Sequence, residues 1–177
     1  MLQRRFQRVK DHFLMNAFLE PNTHKLAKTL RKYKRMEIPQ LLEIMGVISV
    51  ATLFGSMAFF SCVIAPLVFI ELDAETAGRF IRRLFPWYYV VIAALSLVAT
   101  ISFAFTNQIS AAIMGLVFVG ACISREVLMP RINSRRDEMI QGNSAAEVSF
   151  NRLHRASVLI NAVQLIAVFV ILLRSIS

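Results

Sequence analysis

Apolar residues are gathered into three long runs that contain no charged residue. These runs cover residues 44–70, 84–124 and 156–173, which are 27, 41 and 18 residues long. A helix that crosses the hydrocarbon core of a bilayer needs about 20 apolar residues, so the first and third runs each fit one crossing. The pattern therefore predicts membrane-spanning helices.

The middle run is long enough for two crossings, and a polar break divides it. Thr106, Asn107 and Gln108 interrupt the apolar residues near its centre, which predicts a tight hairpin between two helices. We therefore predict an all-α fold, an integral membrane four-helix bundle with spans near residues 42–70, 86–105, 108–128 and 154–173. An even number of crossings places both termini on one side, and the basic residues before the first span favour the cytoplasmic or matrix side.

Prolines and one acidic residue predict local features of the first two spans. Pro66 lies inside the first span, where it lacks an N–H group and crowds the carbonyl group of Cys62, so a kink is expected there. Asp73 can cap a short helix between the two spans. Pro86 is then expected to begin the second span.

The residues before the first span have a different pattern, with apolar and basic side chains on separate helical faces. Apolar residues recur at spacings of four, three and four between Leu2 and Phe13, which predicts an amphipathic helix. A second amphipathic helix is expected after Pro21. We therefore divide the chain into a basic amphipathic N-terminal arm, residues 1–41, and the four-helix bundle, residues 42–173.

Composition supports a membrane protein and excludes a disulfide scaffold. Of the 177 residues, 56% are hydrophobic and 18% are charged, which is too apolar for a soluble domain of this size. Both cysteines, Cys62 and Cys122, lie in apolar runs, where they are expected to act as small buried hydrophobic residues. No Cys–His spacing is typical of a metal site. We predict no catalytic residue, no cofactor, no metal and no enzymatic activity.

The formal net charge of +9 points to anionic membrane surfaces. An Arg-rich, acid-poor, amphipathic start is typical of a mitochondrial targeting segment, and an interfacial helix on an anionic membrane has the same pattern. The mitochondrial inner membrane is the expected location, with a bacterial plasma membrane as the alternative. Anionic phospholipids, with cardiolipin among them, and other membrane subunits are the expected partners, and nucleic acid is not. The basic residues expected to contact headgroups or partners are Arg4, Arg5, Arg8, Lys25, Lys28, Arg31, Lys32 and Arg35.

Aromatic and polar residues mark two further features of the spans. The single Trp and two Tyr residues follow Pro86 directly and are expected to be anchors at the membrane–water interface: Trp87, Tyr88 and Tyr89. Polar residues at spacings of three, four and three predict one polar face on the fourth span: His154, Ser157, Asn161 and Gln164. A matching seam is expected on the first span: Ser49, Thr52 and Ser56. Hydrogen bonding between helices explains the polar face most simply, and a polar pathway with His154 at its mouth is the alternative.

Three short motifs carry a family resemblance. Leu84-Phe85-Pro86-Trp87-Tyr88-Tyr89, Met129-Pro130-Arg131, and Phe150-Asn151-Arg152-Leu153-His154-Arg155-Ala156-Ser157 running to Asn161 together resemble the transmembrane protein 205 family of small four-helix membrane proteins. The resemblance covers about residues 42–173 and implies a four-helix bundle without an established enzymatic activity, loosely linked to drug resistance and export. The basic first 40 residues depart from the family pattern.

Two functions are compatible with these features. The first is a structural or accessory subunit of a multi-subunit inner-membrane complex, of the respiratory-chain or ATP-synthase type. The second is a small-molecule carrier or exporter that uses the polar face of the fourth span. Four short helices can hardly build two alternating gates, and the sequence contains no inverted repeat, so we favour the accessory subunit.

Overall fold

The computed structural model describes residues 23–176, without the side chains of residues 23–26, 31–37 and 176. Its helices are α1 (Thr23–Phe59), a first π-turn (Phe60–Ile64), α2 (Ala65–Glu71), α3 (Ala74–Ala104), α4 (Gln108–Ile123), a second π-turn (Ser124–Leu128), α5 (Met129–Ile140) and α6 (Ser144–Ile176). The chain divides into two compact units, Met1–Leu41 and Leu42–Ser177. The features described below lie in the second unit unless stated.

Within residues 23–176, four helical stretches are long and apolar enough to cross a membrane, as predicted. We name them span 1 (Ile38–Glu71), span 2 (Ala74–Phe103), span 3 (Gln108–Ile140) and span 4 (Ser144–Ser175). No strand occurs among the described residues. The protein is therefore an all-α membrane helical bundle, which confirms the predicted fold class.

Side-chain caps begin two of the spans. Asp73 accepts hydrogen bonds from the backbone N–H groups of Glu75 and Thr76, at 3.1 and 3.0 Å, and so caps span 2. Asn107 accepts from the N–H group of Ser110 at 3.1 Å and caps span 3. The polar break in the long apolar run is therefore a tight turn, because its asparagine supplies the acceptor that a new helix needs.

Both π-turns precede a proline by two residues. The N–H group of Ala65, just before Pro66, donates to the carbonyl oxygen of Phe60, five residues earlier. Met129, just before Pro130, donates to Ser124 in the same way. The irregularity predicted at Pro66 therefore takes the form of a π-turn, which inserts one extra residue and rotates the side chains that precede it.

Pro86 does not begin span 2, contrary to the prediction. It lies inside α3, which starts twelve residues earlier at Ala74. The helix tolerates Pro86 because the carbonyl group that loses its donor is that of Arg82, at the polar end of the span where other donors are available. The short helix expected after Asp73 and the second span are thus one continuous helix.

Buried apolar side chains from all four spans form one core. Its largest fully buried members are Leu53, Met57, Ile92, Met114 and Ile171. In the most apolar stretch of each span, only 17–28% is buried inside the described protein. The outer faces are therefore available to lipid chains or to neighbouring membrane proteins.

Span 3 continues well beyond the membrane core. Its 33 residues would measure about 50 Å along the helix axis, against a hydrocarbon thickness of about 30 Å. The charged helix α5 therefore extends outward and turns at Gly142, which has a φ of 93°, into the start of span 4. An ion pair of 2.6 Å between Arg82 and Asp137 holds this helical hairpin against the beginning of span 2.

Candidate functional site: the polar face of span 4

Asn161 lies at the centre of a polar cluster formed by three spans. Its amide nitrogen Nδ2 donates to the Tyr88 hydroxyl group at 2.8 Å. Its oxygen Oδ1 accepts from the Ser61 hydroxyl group at 3.5 Å. Span 1, span 2 and span 4 are therefore joined through both ends of one amide group.

A second hydrogen bond lies one helical turn nearer the charged end of span 4. The hydroxyl groups of Tyr89 and Ser157 are 3.2 Å apart. Ser124, in the second π-turn, presents its hydroxyl group towards Tyr89 but forms no hydrogen bond. Because Ser124 is 1% exposed, this hydroxyl group is a buried polar atom without a partner.

Gln164 extends the polar face towards span 3. Its Nε2 donates to the backbone carbonyl oxygen of Val117 at 2.9 Å, while its Oε1 has no partner. The amide group fits here because residue 120 is glycine, and a Cβ atom added there would lie 2.6 Å from Nε2. Gly120 thus provides the space in which a polar side chain of span 4 reaches the backbone of span 3.

His154 does not join this cluster. Its side chain is exposed, and its ring is stacked on that of Phe150, with centroids 5.9 Å apart and planes within 6°. The structure therefore brings together three of the four residues predicted for the polar face. His154 lies nearer the charged end of the same helix, outside the bundle interior.

The aromatic residues that follow Pro86 divide between two environments. Trp87 is 71% exposed, as an interface anchor requires. Tyr88 and Tyr89 are 7% and 3% exposed and point into the bundle, so their prediction as interface anchors is corrected. Three successive helical residues cover about 200° of the circumference, so they cannot all face lipid. Tyr88 also stacks on Phe60, with ring centroids 4.1 Å apart.

The seam predicted on span 1 is not the partner of the polar face. Thr52 and Ser56 donate to carbonyl oxygens of their own helix, those of Ile48 and Thr52, at 2.9 and 2.8 Å. Ser61 contacts Asn161 instead. Ser61 lies within the first π-turn, so its direction does not follow from the regular helical spacing of the residues before it.

The spacing of residues along span 2 could have indicated that Tyr88 points into the bundle. Tyr88, Ile92, Ser96, Ala99 and Phe103 are all buried and recur at spacings of four, four, three and four. That spacing is typical of the interior face of a helix. Ser61 and Ser124 had no such signal. Each lies in a π-turn, and although a proline indicates an irregularity nearby, it does not give the direction of the side chains that precede it.

The predicted contacts of the arm fall largely outside the described residues. Arg4, Arg5 and Arg8 lie outside them, as do the side chains of Lys25, Arg31, Lys32 and Arg35. Lys28 is described and is exposed.

The polar cluster consists of hydroxyl and amide groups, which carry no formal charge at neutral pH. Such groups form hydrogen bonds between helices, which hold membrane bundles together where no hydrophobic force can. Elsewhere in residues 23–176, no group of three or more His, Cys, Asp or Glu side chains is placed to hold a metal ion.

Comparison with protein-family models gives a match to part of the chain. Residues 48–141 match a protein family described as "Domain of unknown function (DUF4149)". No curated protein and no solved structure matches the chain. This match gives no information about the transmembrane protein 205 family, so the resemblance to that family stays a prediction. Because the matched region covers more than half of the chain, the protein belongs to the DUF4149 family.

Proposed function

We propose that the protein is a non-catalytic membrane protein that serves as a structural or accessory subunit of a multi-subunit complex. The observation that carries this proposal is the use of the polar face within the bundle. Asn161 bonds to two other spans, and Gln164 bonds to the backbone of span 3. Polar groups of a transport pathway must instead be available to a passing solute.

The outer surface also favours a subunit. Most of the apolar surface of each span is unburied, so the bundle has wide faces that neighbouring subunits can cover. Membrane helices associate through packing and hydrogen bonds of the kind found inside this bundle. A small bundle whose Asn161 and Gln164 side chains bond to its own spans is well suited to packing beside larger partners.

We place this complex in the mitochondrial inner membrane, as a respiratory-chain or ATP-synthase type assembly. The support is the acid-poor, Arg-rich start of the chain. A bacterial plasma membrane is the alternative, in which the same arm would lie on anionic lipid. Replacing Arg4, Arg5 and Arg8 with Glu distinguishes the two locations. The replacement should abolish import into mitochondria, whereas a bacterial protein would still be inserted into its membrane. A variant with Lys at these positions is the matched control and should behave as the unmodified protein.

A carrier or exporter remains the second candidate, and one observation favours it. Three buried polar side-chain atoms of the described residues have no hydrogen-bond partner, and two of them lie near the polar face of span 4: Ser124 Oγ and Gln164 Oε1. Unpaired acceptors inside a membrane protein are costly unless water or a solute meets them. They would be the first contacts of a solute that entered the polar face.

Purification in mild detergent tests the proposal. A tagged chain expressed at its natural level should retain other membrane proteins at a fixed ratio, and these should be lost together when the detergent is made harsher. A chain that purifies alone under mild conditions and transports a solute in vesicles would support the carrier instead.

A further inference from the structure

A cavity of about 320 Å³ lies between spans 2 and 3, at their charged ends. We call it the Arg82–Arg125 groove. Besides these two residues, its lining includes Glu126, Pro86, Met129 and Pro130. Its volume is within the range of small-ligand sites, and its lining is charged at one part and apolar at another.

The groove lies where the two spans leave their apolar stretch. Residues 84–124 contain no charge, and they form the hairpin of spans 2 and 3. Arg82 and Arg125 are therefore both at the same end of that hairpin, just outside the apolar region. In a bilayer this is the depth of the phospholipid headgroups.

Both arginines are partly engaged and partly available. Arg82 pairs with Asp137 at 2.6 Å, and its side chain is 40% exposed. Arg125 pairs with Glu126 at 3.2 Å, and its side chain is 46% exposed. Arg82 also donates to the backbone carbonyl oxygen of Asn133 at 3.2 Å. Each guanidinium group has five N–H donors, so these partners do not use all the donors of either arginine. The charged side chains that line the groove are two arginines and one glutamate, and Asp137, the partner of Arg82, adds a second carboxylate beside them.

The two prolines add acceptors to the same groove. A proline has no N–H group to offer the carbonyl oxygen four residues earlier. For Pro86 that carbonyl belongs to Arg82, and for Pro130 it belongs to Glu126. Backbone acceptors without their usual helical donor therefore lie beside cationic side chains, a combination suited to a ligand that has both an anion and hydroxyl donors.

We propose that the Arg82–Arg125 groove binds the glycerol-phosphate headgroup of an anionic phospholipid, as found in phosphatidylglycerol and cardiolipin. The oxygens of its phosphodiester group accept hydrogen bonds from the N–H groups that the two arginines do not use on their carboxylate partners. The glycerol hydroxyl groups donate to Glu126 and to the freed carbonyl groups. A choline headgroup has no hydroxyl or N–H donor, so phosphatidylcholine should bind less well. The proposal holds whether the protein is an accessory subunit or a carrier.

The single tryptophan of the chain supplies the test. Trp87 is 71% exposed and follows Pro86, which lines the groove. Lipids with brominated acyl chains quench tryptophan on contact, so quenching in mixed vesicles compares the lipids next to this end of span 2. We expect phosphatidylglycerol to be preferred over phosphatidylcholine by about fivefold for each engaged arginine. Equal quenching by the two lipids would overturn the proposal.

Variants distinguish lipid binding in this groove from nonspecific attraction of anionic lipid to the basic surface. Arg125→Gln should reduce the preference by about fivefold, the contribution of one arginine, and Arg125→Lys should retain it. Arg131→Gln is the matched control, because Arg131 is exposed and does not line the groove, and it should leave the preference unchanged. An equal loss in the Arg125 and Arg131 variants would show nonspecific attraction and contradict the proposal.

A further variant guards against misfolding of the Arg125 variants. Glu126→Gln removes the negative charge of the groove but keeps an oxygen acceptor, so the preference for phosphatidylglycerol should be unchanged or higher. Loss of the preference in this variant, with helix content retained, would also contradict the proposal.

Discussion

Replacing Asn161 with leucine tests whether the polar face is structural. The variant removes the 2.8 Å bond to Tyr88 and the 3.5 Å contact with Ser61. The second is at the limit of hydrogen bonding and contributes little. The variant also leaves the Tyr88 hydroxyl group without Asn161 as its partner in a buried position, because Tyr88 is only 7% exposed. Hydrogen bonds between membrane helices contribute about 0.6–2 kcal/mol, so we expect a loss of stability in that range.

A double-mutant cycle isolates the bond itself. Tyr88→Phe removes the other partner and leaves the ring in place, so it should cost a similar amount. The double variant should cost less than the sum of the two, because neither polar group is then left unpaired. Val163→Leu is the matched control on span 4, since Val163 is 58% exposed and faces away from the core.

Unfolding of the purified protein by SDS, followed by circular dichroism, measures these free energies. Unchanged stability of Asn161→Leu, together with loss of a cellular activity, would refute the structural interpretation and favour a pathway. His154→Ala extends the comparison. Because His154 is exposed and contacts only the Phe150 ring among the contacts described for it, we expect at most a small change in stability and no loss of function.

Three further predictions concern packing, capping and topology. Gly120→Ala should destabilise the bundle by about 0.6–2 kcal/mol, because its Cβ would lie 2.6 Å from Gln164 Nε2 and displace this amide group from its bond to Val117. Gly55→Ala has nothing within 4 Å of the added atom and should be neutral or stabilising on SDS unfolding. Hydrogen bonds from the backbone, that of Thr76 above all, lower the pKa of Asp73 below its usual 3.8. The stabilising effect of this cap should therefore be complete above the usual value and be lost as the pH falls through the lowered pKa, a dependence that melting curves should show and that Asp73→Asn should remove. Cysteine labelling in a cysteine-free background should report one compartment for both termini and the other for position 74, and opposite labelling of the termini would contradict four spans.

The number of membrane spans and their helical type could be predicted because they depend on local composition. Uncharged runs of 18 or more residues have few alternatives to membrane helices. The turn at Asn107 and the cap at Asp73 were also predictable, since each needs only a short polar side chain before a helix. The helix ends were less predictable, because α3 and α5 continue as charged helices outside the apolar runs.

The partners within the polar cluster could be predicted only in part. Asn161 and Gln164 were identifiable, because amide groups in an apolar run must find partners. Ser61 and Ser124 were not, since each lies in a π-turn that changes the direction of its side chain. The direction of Tyr88 depends on which face of span 2 meets the other spans, and aromatic residues at a span end are equally typical of an interface anchor.

Blue-native electrophoresis of mildly solubilised membranes tests the central claim most directly. The claim is that the bundle, with its polar face engaged internally, functions as a subunit of a larger membrane complex. We expect the protein to migrate with a complex several times its own mass of 20.0 kDa, and Asn161→Leu to reduce that fraction. Migration as a free monomer or small oligomer, with Asn161→Leu migrating in the same way, would contradict the account.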